Sequence, residues 1–135
     1  LSGERSGQTV EVRVIEDEDI HTQLEVRLKE AMPAGLGVRP SSEGLVSSVE
    51  LHNPILNGRL AVFGRPPDQV RALLNHDQVM PALMAVYEGL GGARVDERCV
   101  RIQVPGELLE TDTLVRLLDE MVVLAQALDE AARAR

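Results

Sequence analysis

Arg59–Asn75, RLAVFGRPPDQVRALLN, reads as a buried strand, a stop and the opening of a helix. Leu60, Ala61, Val62 and Phe63 form a short apolar run with a β-branched and an aromatic residue, which suits a strand covered on both faces. Gly64 ends the run, and Arg65-Pro66-Pro67 cannot extend a ladder because proline has no N–H to give. Pro67 then stands where a first helical turn accepts proline, with Asp68 favoured by the positive end of the helix dipole. Val70, Leu73 and Leu74 follow at the spacing of one buried helical face. Phe63, the chain's single phenylalanine, is expected to anchor the core.

Working outward, the N-terminal part alternates with period two. Val10, Val12 and Val14 stand against Thr9, Glu11 and Arg13, and Leu24, Val26 and Leu28 stand against Gln23, Glu25, Arg27 and Lys29. Such alternation belongs to antiparallel strands with one wet face, and opposite charges on that face can pair across strands. Leu36 and Val38 make a short strand stopped by Pro40. Gly44–Leu51 reads as a further strand, and His52-Asn53-Pro54 and Asn57-Gly58 are turns.

After the first helix, Asn75-His76-Asp77 breaks and recaps the chain. A second helix carries Val79, Leu83, Val86 and Tyr87, with Pro81 in its first turn. A hairpin follows: Ala93-Arg94-Val95, a turn at Asp96-Glu97, then Val100, Ile102 and Val104 facing one way and Cys99, Arg101 and Gln103 the other. The last element is a long helix from about Asp112 to Ala132. Leu114, Leu117, Leu118, Met121, Leu124, Ala125 and Leu128 form its stripe, with Arg116, Asp119, Glu120, Asp129 and Glu130 on the opposite side. Val115, Val122 and Val123 widen the apolar band. Either the helix packs against both sheet and helices, or these three valines offer a surface to a second chain.

The order β-β-β-(β)-β-α-α-β-β-α predicts an α+β fold, an antiparallel sheet of about five to seven strands with helices packed on one face. Residues 1–8, small and polar, read as a linker or remnant without a core role, and residues 9–135 as a single domain.

Composition narrows the function. The 135 residues carry a formal net charge of −8 and are 1% aromatic. The core must be aliphatic, and stacking of bases or an aromatic ligand cage is disfavoured. An acidic surface is a poor match for nucleic-acid phosphates and for anionic lipid, so a protein partner is expected, with a homodimer among the options. No apolar run is long enough to insert into a membrane. Cys99 is the only cysteine, which fits a reducing, cytoplasmic setting and excludes an internal disulfide. The chain begins at Leu1 and reads as a piece of a longer protein.

No motif carries chemistry. His21, His52 and His76 fall in separate places without metal-ligand spacing. Glu16-Asp17-Glu18-Asp19 lacks the spaced oxygens and central glycine of a calcium loop and reads as a solvated turn. There is no nucleophile elbow, P-loop or dinucleotide fingerprint. Arg101 shares the strand face of Cys99, but no base stands beside the thiol. No catalytic, cofactor-binding or metal-ligating residues, and no cofactor, are assigned.

From Asn53 onward, NPILNGRLAVFG, PPDQVRALL, VDERCVRIQVPG and LVRLLDEMVVLAQAL resemble an uncharacterised bacterial family of soluble domains that follow an N-terminal membrane helix. Asn53 and Asn57 replace an acidic residue usual in that family, and no functional residue is carried over. The resemblance implies a non-catalytic protein-interaction or sensory domain of a larger bacterial protein, tethered to the membrane through a segment outside this chain. A second reading is an acidic dimeric chaperone binding a secreted partner. Size, charge and the α-β-β-α order of the second half look like type III secretion chaperones, although Val10–Ile15 reads as strand where those have a helix. A third is an enzyme whose site is composed only in space.

Overall fold

The computed structural model describes residues 2–16, 18–40, 49, 59–89, 93–105 and 111–133. The expected strand over Gly44–Leu51 (Val49 apart), His52, the turns around Asn53 and Asn57, and Gly106 lie outside them.

The described residues form ten elements in chain order: β1 Ser2–Arg5, β2 Gln8–Glu16, β3 Ile20–Arg27, β4 Ala34–Pro40, β5 Leu60–Arg65, α1 Pro67–Leu74, α2 Val79–Gly89, β6 Arg94–Asp96, β7 Cys99–Pro105 and α3 Thr111–Arg133. The seven strands make one antiparallel sheet in the order β1-β2-β3-β7-β6-β4-β5. The fold is α+β with the helices on one face, in the order expected from the patterning.

The register explains how so few aromatics suffice. Val10 faces Val26, Val26 faces Val100, Val100 faces Val95, Val95 faces Val38 and Val38 faces Val62. One unbroken line of valines therefore crosses six strands. Val12, Leu24 and Ile102 make a second line beside it. Branched side chains stiff at χ1 fill a pleated surface with little entropy left to lose. The helices close over them with Val70, Leu73 and Leu74 of α1, Val79, Leu83 and Val86 of α2, and Leu117, Met121, Leu124 and Leu128 of α3, all buried.

Tyr87 on α2 ties this layer to the sheet. Its hydroxyl lies 2.6 Å from the Ala93 carbonyl and 3.1 Å from the Val38 carbonyl, both acceptors. Tyr87→Phe keeps the ring and loses the donor, so unfolding free energy should fall by about 1–2 kcal/mol, read as a lower urea midpoint at an unchanged slope.

Three expectations are corrected. Of the stretch expected as a linker, residues 2–8 are bound into the fold. Ser2–Arg5 pair with β2, Arg5 forms an ion pair with Asp119, Gln126 donates to the Ser6 carbonyl, and Gln8 is buried. Backbone pairing and polar clasps hold this strand, so it shows no apolar pattern. Phe63 is not a core anchor. Leu60 and Val62 face the helices, and Phe63, out of phase with them, is only half-buried on the other side. Asp129 is not on the wet side of the last helix but 1% exposed. It follows Met121 by eight residues and Ala125 by four, which places it on the buried stripe.

Asp129 clasps the start of the β3–β4 connection. Its Oδ1 accepts the backbone N–H of Lys29 at 2.9 Å and of Glu30 at 3.0 Å. Its Oδ2 accepts Gln8 Nε2 at 3.1 Å, and the same Nε2 reaches the Arg27 carbonyl.

Candidate functional site

The residues next to the valine line point the opposite way and build the other face of the sheet. Glu11 faces Glu25, Glu25 faces Arg101, and Arg101 faces Arg94. Arg39, one residue beyond the Val38–Val95 pair, faces Ala61 on β5 and lines the same depression as Arg94 and Arg101. Three arginines thus occupy consecutive strands β7, β6 and β4 in one row. Like charges set directly opposite each other repel, and on this row Glu25 of the neighbouring strand offsets Arg101.

Two depressions share Arg101 and Asp96 on this face. One, of about 600 Å³, is bordered by Arg13, Gln23, Arg27 and Arg98. The other, of about 350 Å³, is bordered by Gly35, Gly37, Arg39, Phe63 and Arg94. Their rims together carry six arginines against the carboxylates of Glu25, Asp96 and Glu97, with Glu11 beside them. A chain of net charge −8 thus gathers cations here.

The carboxylates of this face are held by protein donors. Glu25 Oε1 accepts Arg101 Nη2 at 2.6 Å and Nε at 3.2 Å. Glu11 pairs with Arg13, which holds the Glu11 carboxyl below the usual carboxylate range. Asp96 Oδ1 accepts the backbone N–H of Arg98 at 2.7 Å and of Cys99 at 2.9 Å, fixing the β6–β7 turn. Glu97 Oε1 accepts the Gly35 N–H at 2.6 Å and pins β4 to that turn.

Cys99 is buried between these acids. Its Sγ lies 3.5 Å from Glu25 Oε1 and 3.6 Å from Asp96 Oδ2. Burial, then the negative charges of Asp96 and Glu25, push its pKa up to about 12. The thiol stays protonated and donates a hydrogen bond, the reverse of what a nucleophile needs.

The valines expected to form a surface on the last helix divide. Val122 is 3% exposed and belongs to the core, Val115 is half-buried, and Val123 is 55% exposed. Val123 lies on the exposed stripe with Arg116, Asp119 and Glu130, whereas Val122 lies in the buried band and leaves that surface. His21 lies on β3. His76 lies in the turn before α2, where its Nδ1 accepts the Gln78 N–H at 3.2 Å. Among the described residues no group of three or more His, Cys, Asp or Glu can hold a metal ion, and no helix is long and apolar enough to cross a membrane. Glu18 and Asp19 of the acidic run are exposed in the β2–β3 turn.

The arginine row was not found from sequence because it needs the strand register. Outward placement of Arg101 was readable from alternation, but its juxtaposition with Arg94 and Arg39 was not.

No family model and no curated protein matches the chain. Among solved structures, the chain is similar to the crystal structure of the mycobacterial trehalose monomycolate transport factor A, TtfA, with a TM-score of 0.54 and 12% sequence identity over 98% of this chain and 70% of that one. At that identity the likeness is one of fold, and it extends over nearly the whole of the present chain.

Proposed function

We propose that this chain is a non-catalytic protein-binding domain of a larger bacterial protein, and that its partner docks on the uncovered face of the sheet. The carrying observation is the Arg101–Arg94–Arg39 row. It gathers three cations around one depression on the uncovered face of an otherwise acidic chain, and a local concentration of one sign of charge steers and orients a partner of the other sign. The inward-tuned thiol of Cys99 supports a role without catalysis. With Phe63 the only aromatic on this face and Tyr87 buried in the core, the face offers no stacking platform for bases, which favours protein over nucleic acid. The fold shared with a mycobacterial transport factor is compatible with such a non-catalytic role. The family resemblance adds a membrane-tethered parent, with the partner met on the cytoplasmic side. The dimeric-chaperone reading has less behind it, because Val122 is spent on the core and Val123 stands out alone.

Gly37→Tyr tests the docking face by bulk without changing charge. A Cβ at Gly37 meets the Phe63 side chain, 3.6 Å from Cδ2, and the Gly35 carbonyl oxygen at 3.9 Å, all ordinary contacts, and tyrosine suits a strand. Used as baits on separated membrane and soluble fractions, the wild-type chain should enrich a discrete protein that Gly37→Tyr, folded by circular dichroism, loses. The proposal fails if the two baits and bare resin recover the same proteins.

A further inference from the structure

We propose that the row Arg39–Arg94–Arg101 recognises the side-chain carboxylates of an extended acidic segment of the partner. This rests on the docking face proposed above and names the chemistry it reads.

Neighbouring strands lie about 4.8 Å apart, so the row spans roughly 10 Å. In an extended peptide, carboxylates on alternate residues are about 7 Å apart. Two such carboxylates laid across the strands therefore fall within reach of the guanidinium groups of Arg39 and Arg94 and of the Nη1 side of Arg101 that Glu25 does not hold. Arg101 is already oriented, because Glu25 holds it through Nε and Nη2. Gly37 keeps the floor of the recess open to a backbone, and the half-buried Phe63 ring offers it an apolar side.

The surrounding charges select among anions. Asp96 lies in the recess and Glu25 at its end, so a dianionic phosphate meets two fixed negative charges at short range. Singly charged carboxylates, spread along a chain, meet less repulsion. Elsewhere the molecule is acidic, with a net charge of −8 overall, and repels an acidic segment. Attraction at one face and repulsion at the others give specificity of position.

The test uses the full chain labelled with ¹⁵N and a blocked octapeptide of alternating Glu and Ser. Controls are the Gln–Ser counterpart and inorganic phosphate. The Glu peptide should shift the amides of Gly37 to Arg39, Arg94 to Asp96 and Arg101, and should bind less well as salt rises. The double variant Arg39→Gln, Arg94→Gln should weaken binding by about tenfold or more, whereas Arg116→Gln, on the exposed side of α3, should leave it unchanged. The inference is overturned if the Gln peptide binds equally, if shifts cluster away from this row, if the double variant binds as the wild type does, or if phosphate displaces the peptide at lower concentration than the peptide itself requires. Retention of the captured partner by the double variant, with its loss by Gly37→Tyr, would keep the docking face and discard the acidic segment.

Discussion

Asp129→Ala should lower the free energy of unfolding by about 3 kcal/mol or more, because it strips three donors of their acceptor at once. The backbone N–H groups of Lys29 and Glu30 and the amide of Gln8 all converge on this carboxylate. The Lys29 and Glu30 N–H groups lose the acceptor they have here, while Gln8 Nε2 keeps the Arg27 carbonyl, and a donor left without its acceptor costs more than a typical hydrogen bond contributes. Urea denaturation should show the midpoint moving down with the slope preserved. Asp129→Asn keeps one acceptor oxygen and should recover part of the loss. Asp119→Ala is the contrast. Its ion pair with Arg5 joins side chains 53% and 38% exposed, where solvent screens the attraction, so its removal should cost far less. Equal losses for Asp129→Ala and Asp119→Ala would mean that the buried clasp contributes nothing beyond surface charge.

Gly64→Ala should be comparably damaging, at about 3–4 kcal/mol, from two separate sources. Gly64 has φ +145°, a backbone conformation that side-chain-bearing residues rarely adopt. A Cβ there would also lie 2.6 Å from Val70 Cγ2 and 3.4 Å from Leu36 Cα. Val70 is fully buried in the first turn of α1, so it has nowhere to retreat. The close approach is what lets the strand turn directly into the helix. Thermal unfolding should shift down by roughly 10 °C. Gly3→Ala, where a Cβ meets nothing within 4 Å, should be close to neutral, and a Gly64→Ala protein that melts with the wild type would remove both the strain and the clash from the account.

Alternation and helical spacing carried most of the architecture. Leu24 and Val26, Val100 and Ile102, and the stripe from Leu117 to Leu128 could each be read from a window of a few residues, because burial there repeats with the period of the backbone. What failed was information held in contacts distant along the chain. SGER has no apolar rhythm, yet it is a strand, because β2 supplies its partners and α3 its clasps. Asp129 was grouped with the wet residues by its chemistry, although its spacing from Met121 and Ala125 placed it inside. Glu25 was read as solvent-facing and is 9% exposed, shielded by Arg101 and Cys99 from another strand. The candidate site depends wholly on such distant contacts. Arg39, Arg94 and Arg101 are scattered in the sequence and meet only through strand order.

That strand order also sets a timetable. β3 lies in mid-sheet, yet its second neighbour is β7, with Arg27 meeting Cys99 and His21 meeting Pro105. A ribosome delivers β1, β2 and β3 as a ready meander long before the strand that must complete their free edge. Until β7 emerges, Leu24 and Val26 lack their cover and Glu25 lacks its arginine. Closing so long a loop is an entropic cost met before the contacts return anything. Folding should therefore be late and cooperative, in the millisecond-to-second regime of sheets built from remote strands, and the nascent meander is the species most exposed to mispairing with another chain.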